Sequence, residues 1–235
     1  MILQPDDIQG AVDRLRNEPI ELLSDAAYLE HTLLPELGLN NEITHEFPQH
    51  LAPYMGQGVR SWQYPAQFSK YLVWLSDKQI QSYLEIGCRH GGTFIITVEY
   101  LSRFTPIQQA VAVDLGCGVN VQTYAGINRA ITHYDLNSRS EAFASLVKSR
   151  QYDLVLIDGD HSWDGVKNDF ETVKDNATYA VFHDIHSDAC PDVGRFWRSL
   201  PDTSFDPVAE FIDQYEEVQQ RTSHKYLGIG IGKKK

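Results

Sequence analysis

The chain is poor in cysteine and in positive charge, and it lacks long apolar runs. Its three cysteines, Cys88, Cys117 and Cys190, are odd in number and far apart. Neither a disulfide framework nor a zinc site is indicated, so the thiols read as buried and inert. Lys and Arg number 20 against 32 Asp and Glu, a net charge of −12. A surface of that sign repels a phosphate backbone, which argues against a nucleic-acid partner, and the terminal Lys233-Lys234-Lys235 reads as a solvated tail. No apolar run reaches the roughly 18 residues a membrane span needs, and the N-terminus is acidic (Asp6, Asp7) rather than signal-like. A soluble, cytoplasmic protein without membrane contact is expected. Internal repeats, low-complexity tracts and the G-x-S-x-G elbow of hydrolases are missing as well.

What remains is 235 residues of ordinary apolar content, 42%, enough for one sizeable α/β domain with a small appendage. The first 38 residues read as helical. Pro5-Asp6-Asp7 is a start signal, with Ile8, Val12 and Leu15 on one face, and a second helix runs from 19 or 20 through 34, closed by Pro35 and Gly38. Residues 40–65 are irregular and rich in aromatics (Phe47, Tyr54, Trp62, Tyr64), which suits either a lid or an oligomer contact. As a lid, the segment would place Trp62, Gln63 and Tyr64 nearest the pocket. A short amphipathic helix over 67–75 follows. Strand-like runs then recur at 83–86, 110–115, 131–134, 152–157 and 179–182, with helical stretches at 93–101, 140–147 and 163–174 between them. Alternation of this kind predicts a parallel sheet with helices on both faces, and two late strands, 208–212 and 226–231, end the chain.

Two stretches carry chemistry. In YLEIGCRHGGTF (83–94) a buried strand runs into Gly87-Cys88-Arg89-His90-Gly91-Gly92 and then into a helix. Glycine lets the backbone approach a ligand closely there, and a helix N-terminus favours negative charge. The spacing is G-x-x-x-G-G, not the G-x-G-x-x-G that grips a dinucleotide pyrophosphate. The run Val113-Asp114-Leu115-Gly116-Cys117-Gly118 is a decoy: placing the first strand there leaves too few strand–helix units before the chain ends. Counting units makes 83–86 strand one and 110–115 strand two. Asp114 then sits at a strand tip, where a carboxylate accepts both hydroxyls of a ribose, unless it is only a turn residue. In YDLVLIDGDHSWDGVKND (152–169) a buried strand delivers Asp158 at its carboxyl end, with Gly159, Asp160 and His161 in the turn. The fifth strand ends in Phe182-His183-Asp184-Ile185-His186, so two neighbouring tips present carboxylate and imidazole. A lone Asp after a strand is usually a helix cap; two such tips with three histidines suggest a site.

With Glu85 ahead of it, the glycine turn resembles the first motif of class I S-adenosylmethionine-dependent methyltransferases, E-x-G-x-x-x-G-x-[ST]. Arg89 stands where the usual middle glycine would be, as in the small-molecule O-methyltransferase branches. DGDHSWDGV, FHDI and CPDVGRFW resemble the group that includes sugar and antibiotic O-methyltransferases of the macrocin type, over roughly residues 62–197. The resemblance implies a Rossmann-like, doubly wound α/β sheet of seven strands with the last antiparallel. Residues 66–235 would form the S-adenosylmethionine-binding domain and 1–65 a helical N-terminal extension and possible lid. It implies cofactor binding by Glu85, Gly87, Gly91, Asp114 and Asp158, and methyl transfer to a hydroxyl of a small molecule or sugar. In metal-using members the residue matching Asp158 and an acidic pair after strand five bind Mg²⁺. Here that pair is His183-Asp184, so Asp158 and Asp184 are the metal candidates, for Mg²⁺ or another divalent cation that tolerates imidazole better. His161 matches the base that takes the acceptor proton, a role suited to an imidazole titrating near neutrality. The rival readings are a nicotinamide-dependent oxidoreductase and a catalytically silent nucleoside-binding domain; the missing G-x-G-x-x-G and the clustered Asp158, His161 and Asp184 tell against them.

Overall fold

Successive side chains of a strand point to opposite faces, and strands apolar on both faces belong inside a covered sheet. In the computed structural model, which describes residues 2–235, the strands are β1 (Ser82–Ile86), β2 (Gln109–Asp114), β3 (Ile131–Asp135), β4 (Tyr152–Ile157), β5 (Ala177–His183), β6 (Phe205–Phe211) and β7 (Ile229–Lys234). They form one sheet in the order β3-β2-β1-β4-β5-β7-β6, with only β7 antiparallel to its neighbours. The predicted seven-stranded α/β architecture is therefore present. Strand order reverses between β1 and β4, and such a switch point opens a crevice at the carboxyl ends of the strands.

Period-two burial divides the core cleanly. Tyr83, Ala110, Ala112, Leu154 and Leu156 meet α1 (Ile8–Asn17), α2 (Pro65–Ser76), α3 (Gly92–Ser102) and α4 (Val119–Ile127). Leu84, Ile86, Val111, Val113 and Val155 meet α5 (Glu141–Lys148), α6 (Trp163–Val173) and α7 (Pro191–Ser199) on the other face. The starts of these helices are written locally: Asp7 accepts from the Gly10 amide, Ser140 from Phe143 and Ser162 from Gly165, each satisfying an amide the helix leaves unpaired. The N-terminal segment shares the first core, with Val12, Leu15, Leu33 and Leu37 in the same cluster as Phe94. Arg16 also grips the buried Glu99 of α3 through two bonds of 2.8 Å.

Three expectations need correction. The helix over 20–34 is broken: Ser24 ends Ile20–Leu23, and Asp25 caps a new start by accepting from Ala27 at 2.9 Å. The wide π-turn Leu29–Leu33 then precedes Leu34–Leu37, so Pro35, which has no amide to donate, lies inside the helical run rather than closing it. The last strand starts at Ile229, because Leu227 (φ 61°) and Gly228 (φ 112°) leave the extended region. β6 starts earlier than expected and carries Pro207 beside a bulge, which an edge strand tolerates.

Residues 40–65 hold two 3₁₀ turns, Thr44–Glu46 and Gln49–Tyr54. Their Phe47, Leu51 and Tyr64 turn inward and pack with Val218 of α8 (Glu216–Thr222), Tyr226 and Leu227 instead of facing solvent. Among the described residues, no helix is long and apolar enough to cross a membrane.

Candidate active site

The carboxyl ends of β1, β2, β4 and β5 border a cavity of about 1010 Å³, closed on the far side by Asn40, Glu42, Ile43, Glu46, Arg60 and Trp62. Its floor is the turn after β1. Gly87 has φ 87°, and a Cβ there would lie 2.0 Å from the Asp158 carbonyl oxygen. Gly91 has φ 86°, and a Cβ would lie 2.4 Å from Val121 Cγ2. The turn is thus pressed between the exit of β4 and α4, and only glycine fits at these two positions. Arg89 takes a left-handed φ of 45° where a glycine would be unstrained, at about 1–2 kcal/mol. Its contacts offset this cost. The Arg89 amide donates to Asp114 Oδ2 at 2.7 Å, the guanidinium pairs with Glu42, and its plane lies 4.6 Å from the Trp62 ring.

Asp114 ends β2 on the cavity wall, its second oxygen 3.4 Å from the Gly116 amide. Glu85 is 1% exposed on the floor and accepts from the Tyr83 hydroxyl. Burial raises its pKa to about 8 against the lowering effect of that hydrogen bond, so it keeps its proton at neutral pH.

The tips of β4 and β5 meet as the sequence suggested. His161 Nε2 lies 3.2 Å from Asp158 Oδ1 and 3.1 Å from Asp184 Oδ2. His183 Nδ1 lies 3.0 Å and 3.5 Å from the same two oxygens. Asp184 itself is held at φ 61°. Burial works against both charged carboxylates, yet the imidazoles hold them below the usual carboxylate range. Burial likewise disfavours a charged His161, but its bonds to Asp158 and Asp184 prevail and push it up to about 10. The ring is an imidazolium at neutral pH, not the near-neutral imidazole the sequence led us to assume. His186, the third histidine of the motif, does not line the cavity. Cys190 Sγ approaches Asp184 Oδ2 at 3.4 Å, and burial raises this thiol to about 12, while Cys88 and Cys117 are buried.

These four side chains offer two carboxylate oxygens and two ring nitrogens within 4.8 Å of one another. The His183 Nε2 atom is buried without a partner. With both rings deprotonated, the donor set fits a divalent cation, and its nitrogen content suits a transition ion better than Mg²⁺.

Trp62 lines the cavity as anticipated, whereas Gln63 and Tyr64 do not: Gln63 is 3.5 Å from Thr93, and Tyr64 donates to the Glu46 carbonyl oxygen. Asn40, Glu42 and Glu46 escaped sequence reading, because lone polar residues in an aperiodic segment carry no pattern. Leu115, 77% exposed on the cavity rim, was read only as part of the decoy. Arg139, 2.6 Å from Asp160, also went unnoticed.

Residues 84–185 match the family described as a methyltransferase domain. No curated protein matches the chain. Solved structures do. A cofactor-bound protein from MTB aligns at 16% identity over 99% of this chain and 98% of its own, with a TM-score of 0.54. The O-methyltransferase TomG from Streptomyces achromogenes, in complex with S-adenosylmethionine, aligns at 17% identity over 98% and 96%, TM-score 0.52. A Pyrococcus horikoshii protein provisionally assigned as an RNA methyltransferase aligns at 11% identity over 94% and 98%, also 0.52. At these identities the likeness is one of fold.

Proposed function

We propose that the chain is a class I S-adenosylmethionine-dependent methyltransferase, a reading the family match over residues 84–185 and the seven-stranded sheet support, and that it methylates a hydroxyl group of a small molecule or sugar. The observation that supports this most is the convergence of Asp158, His161, His183 and Asp184 on a cavity whose floor is the Gly87–Gly92 turn. In this reading the cofactor lies over that turn, with Asp114 accepting from both ribose hydroxyls and Gly87 and Gly91 keeping the floor flat. Asp158 and His161 face the sulfonium methyl, so the acceptor oxygen meets a methyl group already activated for transfer, and alignment is the main contribution of the protein. For His161 to take the acceptor proton its ring must first lose its own to solvent, so on this reading turnover rises with pH toward about 10. Asp158 and Asp184, with the two histidines beside them, would hold a divalent cation, which lowers the pKa of a bound hydroxyl. The negative protein surface favours a small acceptor over RNA.

The test is methyl transfer from labelled S-adenosylmethionine to hydroxylated small molecules, beside calorimetry with S-adenosylhomocysteine and with nicotinamide cofactors. Tight binding of a nicotinamide cofactor, with no heat from S-adenosylhomocysteine, would sink the reading. Asp114→Ala is expected to weaken S-adenosylhomocysteine binding by ~1.5–3 kcal/mol, the range for hydrogen bonds to a charged group. Unchanged affinity would move the ribose contact to another residue.

We also propose that residues 40–67 act as a lid. Glu42 pairs with both Arg89 and His90 of the glycine turn, so a ligand seated on that turn should steady the segment. Limited proteolysis within 40–67 is expected to slow when S-adenosylhomocysteine is added; equal cleavage rates with and without it count against a lid.

A further inference from the structure

Glu46 lines the same cavity as the β4 and β5 tips and is 7% exposed. Its carboxylate takes one hydrogen bond, from Trp62 Nε1 to Oε2 at 3.2 Å. No other donor reaches it among the described residues, although a buried carboxylate ordinarily gathers several. The cations lining the cavity pair with other carboxylates: Arg60 with Asp6, Arg89 with Glu42 and Arg139 with Asp160, although Arg60 Nε stays buried without a partner.

The backbone beneath Glu46 is braced from outside. Arg221 of α8 donates to the His45 and Phe47 carbonyl oxygens at 2.8 and 2.9 Å, and the Tyr64 hydroxyl binds the Glu46 carbonyl oxygen. Trp62, which orients the carboxylate, is itself backed by the Arg89 guanidinium. A carboxylate held this firmly, with acceptor capacity to spare and set in the wall of a cavity, is arranged to receive a donor from a ligand. Burial raises the pKa of Glu46 against the lowering effect of the Trp62 hydrogen bond, and the side chain lines the same cavity as His183 and Asp184.

We infer that Glu46 selects the acceptor: its free carboxylate oxygen accepts a hydrogen bond from a second O–H or N–H that the acceptor carries beside the hydroxyl to be methylated. The inference rests on the hydroxyl-methylation reading and deepens it. The substrate class becomes a vicinal diol or amino alcohol, and a mono-alcohol of the same shape is rejected because it excludes water from the second carboxylate oxygen without replacing its hydrogen bond. A site built on such a bond discriminates strongly against the analogue that lacks the donor.

Two matched sets of probes test this: catechol, 2-aminophenol and phenol; and methyl glucoside with its 2-amino and 2-deoxy analogues. For whichever scaffold is methylated, kcat/KM for the donor-bearing members should exceed that of the donor-deleted member by at least ~10²-fold. Comparing diol with amino alcohol tells which donor is preferred. Glu46→Gln keeps an oxygen for Trp62 but loses the charge, so the ratio should shrink by about tenfold or more, mainly through KM. The affinity for S-adenosylhomocysteine and the melting temperature should stay at the parent values, which a merely structural role would not give together with a changed ratio. Equal turnover of diol and mono-alcohol, or a ratio unmoved in Glu46→Gln, overturns the inference and leaves hydroxyl methylation standing. Transfer to none of the six, with S-adenosylhomocysteine bound, removes the hydroxyl reading and this one with it.

Discussion

His161→Ala is expected to bind S-adenosylhomocysteine as the parent does and to lose ~10²–10⁴-fold in turnover, the usual contribution of a positioned proton acceptor. The ring touches the Asp158 and Asp184 carboxylates and lines the cavity, yet its side chain is 37% exposed, so removing it opens no hole in the core. Asp158→Asn should cost activity in the same way. The substitution keeps the shape of the residue but removes the charge that orients His161 and His183. Rapid-quench measurement of the methyl-transfer step, beside calorimetry of the cofactor product, separates chemistry from binding. A His161→Ala protein that transfers methyl groups at the parental rate would end the proton-acceptor assignment.

Gly87→Ala carries the largest expected effect on stability. The new Cβ must avoid a carbonyl oxygen 2.0 Å away while the backbone keeps a φ of 87°. Left-handed strain contributes about 1–2 kcal/mol and overpacking about 1–3 kcal/mol more, so a loss of ~2–5 kcal/mol is expected. That is a large part of the 5–15 kcal/mol by which a typical domain is stable. Because the clash is with Asp158, whatever relief the chain finds also moves the β4 tip, and S-adenosylhomocysteine binding should weaken in step. Gly116→Ala is the control. It sits in the decoy motif, nothing lies within 4 Å of its added Cβ, and the change should stay within about 0.5 kcal/mol. Equal shifts of the urea midpoint in the two variants would contradict this account of which glycine turn bears on the site.

Much of this was legible in the sequence because it rests on local patterns. Strand runs such as Leu84-Glu85-Ile86 and Leu154-Val155-Leu156 are dense in apolar side chains, and Ser140 and Ser162 announce the helices that follow. A strand that ends in Asp158 must deliver it at the same sheet edge to which the parallel strands β2 and β5 deliver Asp114 and Asp184, so topology alone gathers these carboxylates. What stayed hidden depends on contacts distant in sequence. The upward pKa shift of His161 depends on Asp184 beyond the end of β5 as well as on Asp158, and the backbone of Glu46 is braced by Arg221 of α8. The break at Ser24-Asp25 is a different case: it rests on a local cap at Asp25, which the sequence reading did not consider.

The bonds from Arg221 to His45 and Phe47 also bear on how the protein comes off the ribosome. Their partners are 176 and 174 residues apart, so the wall that carries Glu46 cannot be braced until Arg221 has been synthesised. Val12, Leu15 and Leu33 wait too, since the α3 side chains they pack against come much later in translation. During synthesis these apolar side chains therefore lack the α3 partners that later cover them. The parallel sheet can pair from β1 onward in the meantime, and the acceptor side of the cavity is among the last parts to close.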